Sequence, residues 1–324
     1  MQLLSTVSTF KKVQLLSILG TFLKSAVELM IRVFIDSSTF EILPMQHGQN
    51  PYIDISYHAN HRLIESQHDH TVHAFTATPG IVGQLPHRTC PLPDIVFMAN
   101  AGLSLPRLGY HLLLLPNMKY PQRKAELPYL KKIYHDMKLP FVEYPGHEPF
   151  EGQAELKWFD GGRKAICGYG HRSTKKTFEE LNRFFERVYG REKPELLVIK
   201  LISADYYHLD VAMLEYDDTK CIIHRRSVTP ASIRKIQNFL GKTNVTVLDT
   251  PDSFCLNAVV DGAHLVTHKL RDSTLKPLFE RLTGRTVREV DTSEFEKSGG
   301  SVRCMTLDIH TKERWLYSTK ENKD

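Results

Sequence analysis

Nothing in the 324-residue chain gives an uninterrupted apolar run of the ~20 residues a bilayer-spanning helix requires. The N-terminal stretch comes nearest, but Lys11, Lys12, Lys24, Glu28 and Arg32 break it, so no stable membrane insertion is expected. That stretch also lacks the charged start, apolar middle and small-residue cleavage site of a secretory signal. Cysteine is sparse and unpaired in pattern: Cys90, Cys167, Cys221, Cys255 and Cys304 are odd in number and form no C-x-x-C pair. This argues against a disulfide framework or a zinc ribbon and suits a reducing, cytoplasmic setting, with organelle targeting by residues 1–36 left open. Blocks of like charge are missing too. A net charge of +5 spread along the chain gives no footprint for nucleic acid. No repeat is visible by eye.

What is present is a chain, 41% hydrophobic, with ample material for a large globular body. Leu15, Leu16, Leu19, Phe22, Leu23, Val27 and Met30 recur at three- and four-residue spacings, which predicts one or two amphipathic helices over residues 1–36. We read residues 1–38 as a helical extension, 39–318 as the main domain and 319–324 as a polar tail. From Phe40 onward short apolar strands alternate with helices, an α/β pattern. Strands are expected at 41–43, 93–100, 111–115, 141–144, 163–169, 196–201, 206–213, 221–224, 245–248, 254–260, 265–267 and 287–290. Helices are expected from Pro128, over 175–189, from Thr229-Pro230 to Gly241, and over 273–282. The unit strand, strand, helix, strand thus recurs at intervals of about 50 to 60 residues.

Chemistry-bearing residues stand at the ends of these strands. Gly299-Gly300 frees the backbone for a tight loop or a close approach, and Cys304 follows it, with Arg303 beside a thiol that reacts only as thiolate. Asn100 ends the apolar run from Pro93, just before Gly102. In an extended segment Glu151 and Glu155 share a face, so one carboxylate could serve chemistry while the other holds the loop. Arg172 precedes a helix start capped by Ser173 or Thr174 and is placed to hold a carboxylate. Strand alternation sets His208 and Asp210 on one face, an imidazole and an acid suited to proton transfer near neutral pH. His58, His61, His68, His70 and His73 have spacings compatible with a metal, but the stretch offers neither a cysteine nor a glutamate between helically spaced histidines, and we assign none. Whether this stretch forms a lid is left open.

The order of these motifs is specific. Phe-Met-Ala-Asn100, Glu151-Gly-Gln-Ala-Glu, Gly-Tyr-Gly-His-Arg172-Ser, His208-Leu-Asp210 and Gly-Gly-Ser-Val-Arg-Cys304-Met-Thr resemble the guanidine-modifying superfamily. Its members include arginine deiminases, arginine dihydrolases, amidinotransferases and dimethylarginine dimethylaminohydrolases. The resemblance implies a five-bladed α/β propeller of pseudo-fivefold ββαβ modules with the active site in its centre. It implies Cys304 as nucleophile toward a guanidinium carbon, His208 as acid and base, Glu151 and Asp210 flanking the guanidinium, and Asn100 and Arg172 binding substrate, Arg172 through an α-carboxylate. The expected partner is a small guanidino substrate, arginine or an analogue; no cofactor is implied, and a homo-oligomer is left open. Asn100 stands where citrulline-forming deiminases generally carry aspartate, and Phe-x-x-Asn-Ala-Gly looks more like the dihydrolases that leave ornithine. Ala154 and Glu155 replace the family's usual glycine and aspartate, and His61-Arg62 replaces its Asn-Pro start. A non-catalytic scaffold on the same propeller is the reading from another class.

Overall fold

The computed structural model describes residues 30–85, 92–108 and 111–310. Its strands are β1 (Ile31–Ile35), β2 (Gly80–Gly83), β3 (Leu103–Ser104), β4 (Leu113–Leu115), β5 (Phe141–Glu143), β6 (Leu156–Phe159), β7 (Lys164–Tyr169) and β8 (Glu195–Lys200). They continue with β9 (Met213–Glu215), β10 (Cys221–His224), β11 (Val245–Leu248), β12 (Val259–Asp261), β13 (His264–His268), β14 (Thr286–Val290) and β15 (Leu307–Ile309).

They make five three-stranded sheets with one plan. In each, the middle strand runs antiparallel to one neighbour and parallel to the other, as β7 does with β6 and β8. The parallel step is made through a helix, because a parallel pair needs a long crossover. Leu127–Asp136, Lys175–Tyr189, Pro230–Leu240 and Leu275–Thr283 supply it in four modules. The fifth module is split between the chain's two ends: β1 pairs parallel with β2 across His61–Ala74, and antiparallel with the last strand, β15.

Local signals set the helices. Thr174 accepts from the Thr177 backbone N–H (3.3 Å) at the start of Lys175–Tyr189, and Phe178, Leu181 and Phe185 bury its inner face. Thr229 caps the Ser232 N–H (3.1 Å), and Pro230 occupies the first turn of its helix. Apolar clusters then fill every junction between neighbouring modules. Leu114 packs with Trp158 and Phe178, Ile166 with Leu209 and Ile223, and Leu214 with Leu256 and Phe279. Phe34 with Val266, and Val33 with Leu113 and Leu307, complete the ring. The observed architecture is the five-module propeller that the resemblance implied.

Several expectations are corrected. The helix read across 1–36 does not extend over Ile31–Ile35, which is the central strand of the fifth module. Arg32, read as one of the charges that break the apolar run, is fully buried between Asp308 (2.7 Å) and Asp261 (3.0 Å), with its guanidinium over Phe75. Residues 1–29 and the tail at 319–324 lie outside the described residues. No strand forms at 41–43. The run 93–102 is a chain of turns ending in the 3-10 helix Met98–Ala101, and 206–213 folds into helical turns before β9, not into a strand.

Candidate active site

Each module brings one short turn to the centre of the ring, immediately before its first strand. Asn100 precedes β3, Glu151 precedes β6, His208 and Asp210 precede β9, Asn257 precedes β12 and Cys304 precedes β15. The sequence-predicted residues therefore meet. Cys304, His208, Asn100 and Arg172 line one small cavity, with Arg123, Tyr207, Asp94, Gln49 and Asn50 around them. Glu151 and Asp210 sit directly behind the lining, fully buried.

Glu151 is the hub. Its Oε2 accepts from His208 Nε2 (2.7 Å), Arg172 Nη1 (3.0 Å) and Asn100 Nδ2 (3.3 Å), while Oε1 accepts from the Lys119 backbone N–H (3.1 Å). Burial pushes its carboxyl up, but Arg172, His208 and Arg123 outweigh that and hold it well below the usual carboxylate range. An ionised carboxylate only accepts, so His208 carries its proton on Nε2. Arg123 Nη1 donates to Asn100 Oδ1 (3.3 Å), which turns the amide's N–H toward Glu151. Glu155, whose carboxylate accepts the Glu151 backbone N–H (3.0 Å), holds the loop. Its own carboxyl is pushed up by burial and by the adjacent Glu151 charge. The expectation that Arg172 faces a substrate carboxylate meets a different resting arrangement. Its guanidinium stacks over Tyr207 (4.7 Å) and Tyr120 (5.0 Å) and pairs with Glu151, leaving Nε without a hydrogen-bond partner among the described residues.

His208 and Asp210 do not share a strand face. His208 stands just before the turn Leu209–Ala212 and its ring reaches Glu151, whereas Asp210 Oδ2 lies 3.6 Å from the Cys304 sulfur. Asp210 Oδ1 is buried and without a hydrogen-bond partner among the described residues. Burial raises the Asp210 carboxyl and lowers the His208 ring; burial and then Asp210 raise the Cys304 thiol. All three shifts run toward the uncharged form, as burial dictates.

The Cys304 loop owes its shape to its glycines. Gly299 has a φ of 93°, in the left-handed region, and a Cβ on Gly300 would strike the Phe97 ring. Two longer ties fix it. Ala99 N–H donates to Cys304 O (2.9 Å), and Tyr207 Oη donates to Gly299 O (2.7 Å). A buried bridge acts behind them: His268 holds Glu296 Oε1 at Nδ1 and Asp252 Oδ1 at Nε2, each 3.0 Å away. Thr292 Oγ1 donates to Glu296 (2.8 Å) and contacts Ser301 Oγ (2.7 Å), linking the bridge to the loop. Burial alone would lower the His268 pKa, but the two carboxylates raise it from 6.5 to about 9. A raised folded pKa gives stability that is complete below the unfolded value and lost as pH rises through the folded one. Unfolding free energy is therefore expected to fall by roughly 3 kcal/mol between pH about 6.5 and somewhat above 9. Urea titrations should show that slope in the native sequence and lose it in His268→Gln; equal slopes would contradict it.

The histidine-rich stretch does not gather a site. His61 pairs with Glu41 (2.8 Å), His68 is buried beside Phe295, and His73 Nδ1 bonds Asp69 O (2.7 Å). The helix His61–Ala74 packs on Ser293–Glu296, and the cavity rim comes from Gln49 and Asn50 instead. Sequence reasoning missed Arg123 and Asn257. A signal for the second exists: Phe254-Cys-Leu-Asn257-Ala repeats the pattern of Phe97-Met-Ala-Asn100-Ala, an internal repeat that inspection by eye overlooked.

No protein-family model matches the chain. It is 26% identical to a dimethylarginine dimethylaminohydrolase of Mycobacterium tuberculosis over 269 residues, 81% of this chain and 80% of that one. To ArgZ, a bifunctional arginine dihydrolase/ornithine cyclodeaminase of Synechocystis, it is 28% identical over 221 residues, 67% of this chain and 29% of ArgZ, so it spans under a third of that relative. An uncharacterized protein of Caenorhabditis elegans is 26% identical over 67% of this chain and 73% of its own length. Among solved structures, the N-terminal domain of an ArgZ variant covalently bound to a reaction intermediate superposes with a TM-score of 0.75 at 21% identity, covering 87% of this chain and 98% of that one. A dimethylarginine dimethylaminohydrolase variant carrying an S-methyl-L-thiocitrulline adduct gives 0.64 at 15% identity, covering 87% and 100%. In fold and in sequence the chain is thus similar to members of the guanidine-modifying, or pentein, superfamily.

Proposed function

We propose that the chain hydrolyses the guanidino group of free arginine through a covalent intermediate on Cys304, releasing ornithine, two molecules of ammonia and carbon dioxide. The observation that carries this reading is the convergence of a thiol, an imidazole and buried carboxylates from separate modules on one cavity, where Cys304, His208 and Asp210 are each shifted toward the uncharged form. A bound guanidinium reverses that bias. Its positive charge favours the thiolate and the ionised Asp210, and its N–H groups supply the donors that Asp210 Oδ1 lacks. Glu151 Oε1, which accepts one bond among the described residues, has room for a second.

In the first round Cys304 gives its proton to His208 and the thiolate bonds to the guanidinium carbon. His208 returns the proton to a terminal nitrogen, which leaves as ammonia as its C–N bond breaks, and an S-alkylthiouronium remains. His208, neutral again, takes a proton from water; the hydroxide bonds to the same carbon, the C–S bond breaks, His208 returns the proton to the sulfur, and a ureido group results, the substrate's excess proton leaving with the ammonia. Asn100 suits a second round. A carboxylate there would only accept, whereas the amide can donate to a ureido oxygen. Repeating the attack expels the second ammonia, and hydrolysis leaves a carbamate that decomposes to ornithine and carbon dioxide. The relative ArgZ, named as a bifunctional arginine dihydrolase, supports this outcome. Arg172, with a spare buried N–H, is the group we assign to the substrate carboxylate.

The wider match to the dimethylarginine hydrolase, 81% of the chain against 67%, favours a second reading in which dimethylamine leaves and citrulline is the product. Quantifying products from arginine and from dimethylarginine separates the two. Two ammonia per ornithine without accumulating citrulline is expected from arginine. Citrulline alone would contradict the dihydrolase reading, and dimethylamine release with no turnover of arginine would replace it.

A further inference from the structure

Four modules contribute residues that the proposed chemistry uses; the fourth module's turn, Phe254-Cys-Leu-Asn257-Ala, contributes none. Yet its asparagine occupies the position that Asn100 holds in the first module and Cys304 in the fifth, just ahead of the first strand. We propose that Asn257 is a catalytic residue: its amide nitrogen donates to the Cys304 sulfur and holds it as the attacking thiolate.

The orientation of this amide is fixed by two backbone groups. Asn257 Oδ1 accepts from the Cys304 N–H at 3.2 Å, and Nδ2 donates to the Asp210 carbonyl at 3.1 Å. A flipped amide would set its NH2 against an N–H and its oxygen against a carbonyl, losing both bonds. The nitrogen must therefore face the sulfur, 3.1 Å away, and its second hydrogen serves it. Asn257 is completely buried, and its backbone carbonyl accepts the Arg303 N–H (3.2 Å), so residues 303 and 304 are pinned by the main chain and the side chain of one residue.

A donor aimed at sulfur distinguishes thiolate from thiol, because the charged acceptor gains much more from the bond. It opposes the other neighbour. The Asp210 carboxylate, 3.6 Å from the sulfur, accepts from a thiol and repels a thiolate. The two contacts make a switch. While Asp210 is unengaged it keeps the proton on sulfur; once a guanidinium takes up the carboxylate, the amide remains to stabilise the anion. Asn257 lowers the thiol pKa in this balance and Asp210 raises it.

The inference rests on Cys304 being the nucleophile, but its test needs no turnover. The rate at which iodoacetamide alkylates Cys304, counted on its own tryptic peptide, is followed against pH in the native chain, in Asn257→Leu and in Asn257→Ser. The proposal expects both variants to keep the native circular dichroism and to raise the apparent pKa of alkylation. At pH 7.5 the rate should fall about ten- to a hundredfold. Arginine affinity in the Cys304→Ser background should be unchanged by the second substitution, because the amide touches sulfur and not the substrate. Should Asn257→Leu misfold, Asn257→Ser gives the same reading in a smaller side chain. An alkylation profile that matches the native one in a folded variant would overturn the proposal. A shifted profile in a chain that hydrolyses no guanidino compound would leave Asn257's effect on the thiol standing and refute the substrate assignment instead.

Discussion

Replacing Cys304 by serine is expected to lower turnover of arginine by roughly 10⁵-fold while arginine still binds. In the proposed mechanism the sulfur takes part in both covalent steps, and the other thiols among the described residues, Cys167, Cys221 and Cys255, are buried within the module cores. Serine fills nearly the same space and keeps the backbone bonds to Asn257 and Ala99, so the cavity persists. Steady-state rates and equilibrium binding of labelled arginine check the two halves. Loss of binding together with rate would mean a collapsed site, and an unchanged rate would remove the thiol from the chemistry.

Glu151→Gln carries the second large effect, and it is twofold. The substitution is isosteric but removes the charge on which His208, Arg172 and Asn100 converge. One amide oxygen cannot replace a carboxylate for three donors, and an NH2 facing the Lys119 N–H is repulsive. His208 loses the partner that sets its tautomer, so kcat should fall about 10³-fold or more. Arg172 is left as a buried cation without its counter-ion, which should cost about 3 kcal/mol of stability. Stopped assays and urea titrations read these separately. A rate loss with native stability would mean that solvent or Tyr207 suffices to hold Arg172, and a stability loss with native rate would make Glu151 a structural residue only.

Much of this fold is legible in the chain because its modules are local. The helix Lys175–Tyr189 announces itself by a threonine cap, an apolar face and a closing glycine, all within contiguous residues. The fifth module is not local. β1 reads as a helix end because its defining partners, β2 and β15, lie far along the chain, and the buried pairing of Arg32 is invisible locally because Asp261 and Asp308 are more than 200 residues away. Residues 206–213 mislead for another reason. Alternating polar and apolar residues suggest a strand, yet a helical turn of four residues is too short for period to tell the two apart.

The site was legible where its residues ionise. Thiol, imidazole and carboxylates advertise chemistry in any sequence, and Cys304, His208, Glu151 and Asp210 do converge. Their pairings were not legible, since side-chain partners depend on how five turns meet: His208 engages Glu151, and Asp210 engages the thiol. Asn257 was silent because an amide does not titrate. Its trace in the sequence is the second Phe-x-x-Asn-Ala, which falls just ahead of the first strand of its module as Phe97-Met-Ala-Asn100-Ala does in another.

The most direct test is the mass of the protein quenched in acid during turnover of arginine. A thiol nucleophile predicts an adduct of arginine less one ammonia on the peptide that contains Cys304, formed and lost at rates that match product release. An unmodified Cys304 peptide throughout, together with undiminished turnover by Cys304→Ser, would contradict it.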